Sequence, residues 1–249
     1  MKTRLITFLT GVLLLISLSI SSQNDLRIMT YNIRNGIGMD MKSDYKRTVN
    51  VINKYHPDIV AVQEVDSMTN RSNKRFVLGE LSRLTGMYYY YAPAIDYDGG
   101  KYGTGLLSRE KPIRTSYIPL PGREEQRVLL IAEFDKFVFL GVHLSLTTED
   151  QLKSVEIIKQ ELAEIKKPVF VAGDFNAHPD SEVIELLKKS FTVLSSSANT
   201  FPADKPTECI DYIALDKKTF KSRFFRNSFV IDEPEASDHR PVIVDVKLP

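Results

Sequence analysis

Six places along the chain set a polar side chain of catalytic type at the end of an apolar run. They are Asn32 after "RIMTY", Glu64 after "DIVAVQ", His143 after "FVFLGV", Asp174 with Asn176 in "PVFVAGDFNA", Asp211 before "YIAL", and Asp238 with His239 before "RPVIVDV". Each alone has an ordinary structural explanation: Asn32 and Asn176 as turn formers, Glu64 as a solvated strand end, His143 as a satisfied core histidine, Asp211 as partner of a nearby cation. Their recurrence at strand ends is what carries weight. A carboxylate such as Glu64 and an amide oxygen from Asn32 suit a hard divalent ion, Mg²⁺ or Mn²⁺, with positions left for water and phosphate. His143 and His239 beside carboxylates supply proton transfer, because an imidazole titrates near neutrality and an adjacent carboxylate fixes its tautomer. Metal, base and proton donor together point to hydrolysis of a phosphate ester.

Strands and helices that alternate along the chain must position these groups. Leu26–Ile33 reads as a strand and Tyr45–Tyr55 as a helix ended by His56-Pro57, followed by a buried strand, Ile59–Val62, that stops at Gln63-Glu64. Phe76–Thr85 has a helical stripe with Gly86 at its C-terminal cap. Tyr88–Tyr91, Gly103–Ser108, Val128–Phe134 and Phe137–His143 read as strands, the tyrosines packing alternately rather than forming a base-stacking platform. A long helix starts near Thr148, with Thr148 and Gln151 at capping-box spacing and Leu152, Val155, Ile158, Leu162 and Ile165 as its inner stripe. Val169–Ala172, Ile210–Leu215, Phe224–Val230 and Val242–Val246 are further strands, and Ser181–Lys189 a short helix. The order helix, proline, apolar strand, acid occurs twice, as "NKYHPDIVAVQE" and "EIKKPVFVAGD". Both acids then emerge at carboxyl ends of buried strands, where α/β proteins tend to place ligand chemistry.

Composition sets the outer bounds. Lys2 and Arg4 precede the apolar run Leu5–Ile20 and the small residues Ser21 and Ser22, so residues 1–22 read as a signal peptide and residues 23–249 as one domain. A retained anchor is the competing reading, weakened by Thr7, Thr10, Ser17 and Ser19 inside the run. The expected product is an exported monomer, periplasmic or secreted, with no stable membrane insertion after cleavage. Hydrophobic residues make up 43% of the chain, enough for a sizeable core, and losing the two charges of Lys2 and Arg4 takes the formal charge from +1 to −1. That balance excludes a generally basic nucleic-acid binder. The single cysteine, Cys209, excludes an internal disulfide, and one Cys with four His argues against a structural zinc site.

"MTYNIRNG", "DIVAVQEVD", "YGTGLLSR", "GVHLS", "GDFNAHPDS", "PTECIDYIAL" and "SDHRPV" stand in an order that resembles the endonuclease/exonuclease/phosphatase superfamily, from Arg27 to Val246. "GDFNA" and "SDHRP" together are fairly specific; "QE" after an apolar strand or "DYI" alone is weak. The resemblance implies a DNase I-like α/β fold, a four-layer sandwich of two packed mixed β-sheets flanked by helices. It implies that Asn32 and Glu64 hold a Mg²⁺ ion (Mn²⁺ as substitute) with Asp238 nearby, and that Asp174 and Asn176 position the attacking water and phosphate. His239 would be oriented by Asp211, and His143 would hydrogen-bond the phosphate. Arg127 and Arg71 occupy segments suited to contacting substrate phosphate, since guanidinium binds it bidentately. Cys209 departs from the pattern, standing where relatives often carry a basic residue.

The implied activity is in-line water attack on a phosphodiester or phosphomonoester, by an exported, metal-dependent hydrolase. Nucleic acid is admitted as a substrate through a rim of Arg71, Lys74, Arg75, Lys101 and Arg123, although the near-neutral charge argues against a general DNase. The absence of tryptophan argues against a phospholipase docked on membrane. The alternative from another class is a non-catalytic binding module on the same fold, which should have lost at least one of the strand-end groups.

Overall fold

The computed structural model describes residues 25–219 and 225–248. The proposed signal peptide, residues 1–22, lies outside the described residues, as does Phe224. In chain order the first strands are β1 (Asp25–Asn32), β2 (Ile59–Ser67), β3 (Tyr88–Tyr97), β4 (Gly100–Ser108), β5 (Arg114–Leu120) and β6 (Arg127–Glu133). They are followed by β7 (Val138–His143), β8 (Val169–Asp174), β9 (Phe191–Val193), β10 (Asp211–Asp216), β11 (Phe225–Val230) and β12 (Val242–Lys247). The helices are α1 (Tyr45–Tyr55), α2 (Val77–Thr85), α3 (Thr148–Glu161) and α4 (Glu182–Ser190).

Two mixed six-stranded sheets result, ordered β11-β12-β1-β2-β4-β3 and β5-β6-β7-β8-β10-β9. Side-chain alternation sorts their residues into three apolar layers. Ile28, Ile59, Ala61, Phe139, Phe170, Ala172, Ile213 and Val244 fill the space between the sheets. Met29, Tyr31, Val60 and Val62 turn the other way, onto Val49, Ile52, Leu78 and Leu81 of α1 and α2. Val142, Val171 and Ala214 likewise meet Val155 and Ile158 of α3 and Ile184 and Leu187 of α4. The architecture is the expected four-layer DNase I-like sandwich, helices outside and sheets face to face.

Local chemistry explains the helix ends. Asp44 caps α1 by accepting the Lys46 N–H, and His56 ends it in the left-handed conformation. Ser181 caps α4, and Gly86 closes α2 at φ 71°. The capping box expected at Thr148 and Gln151 does not form: Thr147 is the N-cap, no side chain caps the helix, and Gln151 is committed elsewhere. The repeated helix–proline–strand–acid segment maps onto the parallel pairs β1–β2 and β7–β8, one in each sheet, crossed over by α1 and α3. Short edge strands β5 and β9 escape a pattern reading, β5 because it is mostly exposed and β9 because it has three residues. Among the described residues, no helix is long and apolar enough to cross a membrane.

Candidate active site

Parity along the strands collects the polar residues. On β1, Leu26 and Ile28 face the inter-sheet core, so Asn32 does too; Phe139 places His143 on that face, Phe170 and Ala172 place Asp174, and Ile213 places Asp211. All four stand where the apolar filling between the sheets ends, at the carboxyl ends of β1, β7 and β8 and the amino end of the antiparallel β10. Glu64 has the opposite parity and would be expected on the helix side with Val60 and Val62. A register shift between Val62 and Val65 and a left-handed Glu64 (φ 59°) re-aim it, and its Oε1 accepts from Asn32 Nδ2 at 3.1 Å. The strand therefore does not end at Gln63-Glu64 as expected; it bulges there and continues to Ser67.

Asp174 is the hub. Its Oδ2 accepts from Asn32 Nδ2 at 3.0 Å and lies 3.6 Å from His143 Nε2 and 3.7 Å from His239 Nε2. The backbone N–H of Asn176, left-handed at φ 49°, holds the other oxygen at 2.9 Å. Asn176 Nδ2 donates to the Leu144 carbonyl at 3.0 Å. His239 Nδ1 meets Asp211 Oδ2 at 2.9 Å, an oxygen that also accepts from Thr200 Oγ1 at 2.6 Å. Ser237 Oγ donates to the Asn32 carbonyl at 2.7 Å, fastening the segment that carries Asp238 and His239 to the end of β1.

The two imidazoles pointing at Asp174 are in opposite electrical states. His143 is held well below its ordinary pKa, by burial first and then by Arg127 and His239. For His239 burial is again the largest influence and lowers it, but Asp211, Asp174 and Asp238 outweigh it and raise the ring to about 10. Asp174 itself is pushed up to about 7, chiefly by burial. Burial also raises Glu64, with Asp238 adding repulsion.

Asp174, Asp211 and His239 offer donor atoms within 4.8 Å of one another. The 2.9 Å hydrogen bond between Asp211 and His239 puts a proton inside that group, so it reads as a proton relay rather than an ion cage. Glu64 and Asp238 remain as carboxylates outside the relay. A half-buried Glu64 beside a second carboxylate is the charge pattern a hard divalent cation offsets, and the oxygen donors suit one. Asn32 turns its amide nitrogen, not its oxygen, toward Glu64 and Asp174, while its Oδ1 accepts from the Arg34 N–H at 3.1 Å. In this arrangement it spaces two carboxylates.

Neither expected phosphate-binding arginine has a free fork. Arg71 is bidentate on the buried Asp66, at 2.7 and 2.8 Å, and lies over the Tyr97 ring. Arg127 is buried, with Nη1 3.2 Å from His143 Nδ1 and 3.0 Å from Glu125 Oε1, and Nη2 3.4 Å from Glu124 Oε1. Nearby acids pair with the exposed Arg71 and the buried Arg127 alike, although Arg127 Nε keeps no partner among the described residues.

Three residues support the site in ways the sequence did not show. Gln151 Nε2 donates to the carbonyls of Ser145 at 2.7 Å and Asn176 at 2.8 Å, tying the β7–α3 loop to the loop after β8. It was expected in a capping box, and its signal for this other role is a polar residue in helical register with Val155 and Ile158. Ser237 was legible only as the first residue of "SDHRP", and Thr200 carried no distinguishing spacing.

The comparisons with known proteins agree with this fold. A UPF0294 protein of Vibrio campbellii is 27% identical over 158 residues, 59% of this chain and 55% of that protein, so the chain spans little more than half of that relative's length. The crystal structure of an endonuclease/exonuclease/phosphatase from Bacteroides vulgatus superposes with a TM-score of 0.73 at 20% identity, covering 91% of this chain and 100% of that one. A mannosyl-6-phosphatase of Bacteroides thetaiotaomicron gives 0.70 at 16% identity, covering 89% and 99%. At these identities the structural likenesses speak for the fold alone. The family model of the Endonuclease/Exonuclease/phosphatase family matches residues 29–239, spanning every element that builds the site, and the chain belongs to that family.

Proposed function

We propose that the protein hydrolyses a small phosphate ester, phosphodiester or phosphomonoester, by in-line attack of water assisted by a divalent cation, Mg²⁺ or Mn²⁺ in its place. The observation that carries this reading is the convergence of Asn32, a neutral His143 and a charged His239 on one oxygen of Asp174. A carboxylate raised to about 7 is matched to accept the proton of an attacking water near neutral pH. Charged up to about 10, His239 is already protonated there, so it acts as hydrogen-bond donor and acid toward the leaving oxygen. His143 donates to the phosphoryl oxygens as charge develops on them. Glu64 and Asp238 would hold the cation, which supplies Lewis-acid compensation of phosphoryl charge when bound.

Small esters are favoured over long nucleic acid because the candidate rim is neutralised. Arg71 pairs with Asp66, Arg75 with Glu80, Lys101 with Asp96, and Arg123 with Glu149 and Asp150, while Lys74 donates to the Gly99 carbonyl. Cations already paired release few counterions on binding a polyanion. The mannosyl-6-phosphatase relative is consistent with a sugar phosphate as one such ester. The basic start, apolar run and small residues of 1–22 support export to the periplasm or the exterior. Parallel turnover of mannose 6-phosphate, a nucleoside monophosphate, a chromogenic diester and duplex DNA tests the class. Cleavage of DNA exceeding that of every small ester would overturn it.

A further inference from the structure

Arg127 stands against His143, and its position assigns it a role there. Its Nη1 lies 3.2 Å from His143 Nδ1, with both side chains buried. Guanidinium has five N–H groups and no acceptor, so arginine must be the donor in this pair and Nδ1 must present a lone pair. The single proton of a neutral imidazole is then confined to Nε2, the nitrogen facing Asp174 Oδ2. Protonating Nδ1 as well would set an N–H against an N–H and two cations together in a buried space. Glu124 and Glu125 keep the guanidinium in place at 3.4 and 3.0 Å.

We propose that Arg127 is a positioning residue that fixes His143 as a neutral, Nε2-protonated donor, leaving acid–base work to Asp174 and His239. The inference rests on the phosphohydrolase reading for its kinetic consequence, but the tautomer is a property of the protein alone. The contrast inside the site is chemical. Asp211 on Nδ1 makes His239 a proton carrier, and Arg127 on Nδ1 makes His143 a fixed dipole. Glu124 also links this arrangement to the loop that follows His143, accepting from Ser145 Oγ at 2.9 Å and from the Leu146 N–H at 2.8 Å. The segment Glu124–Arg127 thus sets both the ring's tautomer and the loop beside it.

The test has a spectroscopic and a kinetic arm. Long-range ¹H–¹⁵N correlation spectra of metal-free protein, with His143 assigned through His143→Asn, should show its proton on Nε2 alone, unchanged from about pH 6 to 9. In Arg127→Met the proton should spread over both ring nitrogens, since no donor then occupies Nδ1, while Arg127→Lys, which keeps a cationic donor, should retain part of the wild-type signature. With a chromogenic ester and Mg²⁺, Arg127→Met should lower kcat by about 10–100-fold, as loss of an orienting partner does, with KM within about threefold. An Nδ1 proton or a doubly protonated ring in the wild-type protein at pH 7 overturns the proposal. So does a variant with raised KM and unchanged kcat, which would return Arg127 to direct phosphate contact. Wild-type protein without turnover would instead strike the proposed activity and leave the spectra to decide the tautomer. Should Arg127→Met fail to fold, the wild-type spectrum and the lysine variant decide.

Discussion

Asp211→Asn isolates the charge that holds His239 protonated. The ring stands about 3.5 units above its ordinary 6.5, and at 1.36 kcal/mol per unit this is about 5 kcal/mol in favour of imidazolium. Asp211 is the largest favourable contributor, through charge and through the 2.9 Å hydrogen bond, with Asp174 next. Removing the Asp211 charge leaves burial opposed mainly by Asp174, so the His239 pKa should fall well below about 10. The sign for stability follows. A ring whose pKa is raised on folding adds stability that is whole below about 6.5 and lost as pH climbs through about 10. Wild-type protein without metal should therefore weaken by a few kcal/mol between pH 7 and 10, and Asp211→Asn should show a much flatter profile there. Asp174, also raised, loses its contribution at lower pH, from about 4 to 7, and leaves the upper window to His239. Imidazole NMR titration with urea unfolding at pH 6.5, 8 and 9.5 reads both quantities. The same change should reduce kcat by on the order of 10⁴, as in the Ser-His-Asp case where an asparagine replaces the orienting aspartate. A variant whose His239 still titrates near 10 would refute the reasoning and assign the proton to Asp174 and Asp238.

Three further outcomes follow from the site. Glu64→Gln keeps an acceptor for Asn32 and removes a carboxylate whose ionisation burial disfavours. It should unfold no earlier than wild type without metal at pH 7, and should lose the wild-type rise of about 5–11 °C expected in differential scanning fluorimetry at Mg²⁺ a hundredfold above Kd. Gln151→Leu leaves the buried Ser145 carbonyl without its side-chain donor and frees the Asn176 carbonyl. About 1–3 kcal/mol of stability should go, measured by urea unfolding, with a fall in kcat larger than the change in KM. Raising salt from 50 to 200 mM should leave kcat/KM for a small ester within about twofold and should reveal no steep loss on duplex DNA, since the rim cations are paired.

The sequence was informative where one periodicity ran uninterrupted. Apolar strands ending in Asn32, His143 and Asp174 place those groups at the edge of the inter-sheet core by alternation alone, and the repeated helix–proline–strand segment marks one parallel pair in each sheet. Glu64 was legible as a strand-end acid but not in its direction, which depends on a bulge and a left-handed residue that no alternation rule contains. The partners of the arginines went unread for a different reason. Arg71 and Arg127 have the chemistry to bind phosphate, but acids close before them in the chain, Asp66 for Arg71 and Glu124 and Glu125 for Arg127, pair with their guanidinium groups. Gln151, Thr200 and Ser237 act through a few side-chain hydrogen bonds to loops and strand ends, and such contacts leave no periodic trace.

Hydrolysis of phosphate esters at the Asp174 cluster, with a divalent cation held by neighbouring carboxylates, is the activity proposed for this protein. Its most direct test is turnover of paired chromogenic phosphodiester and phosphomonoester substrates by the protein lacking residues 1–22, with Mg²⁺, Mn²⁺ or chelator, beside Glu64→Ala and His239→Ala. Metal-dependent hydrolysis of at least one ester, abolished by chelator and by each substitution, is the result the account predicts. Hydrolysis that survives either substitution, or that proceeds unchanged in chelator, would contradict it.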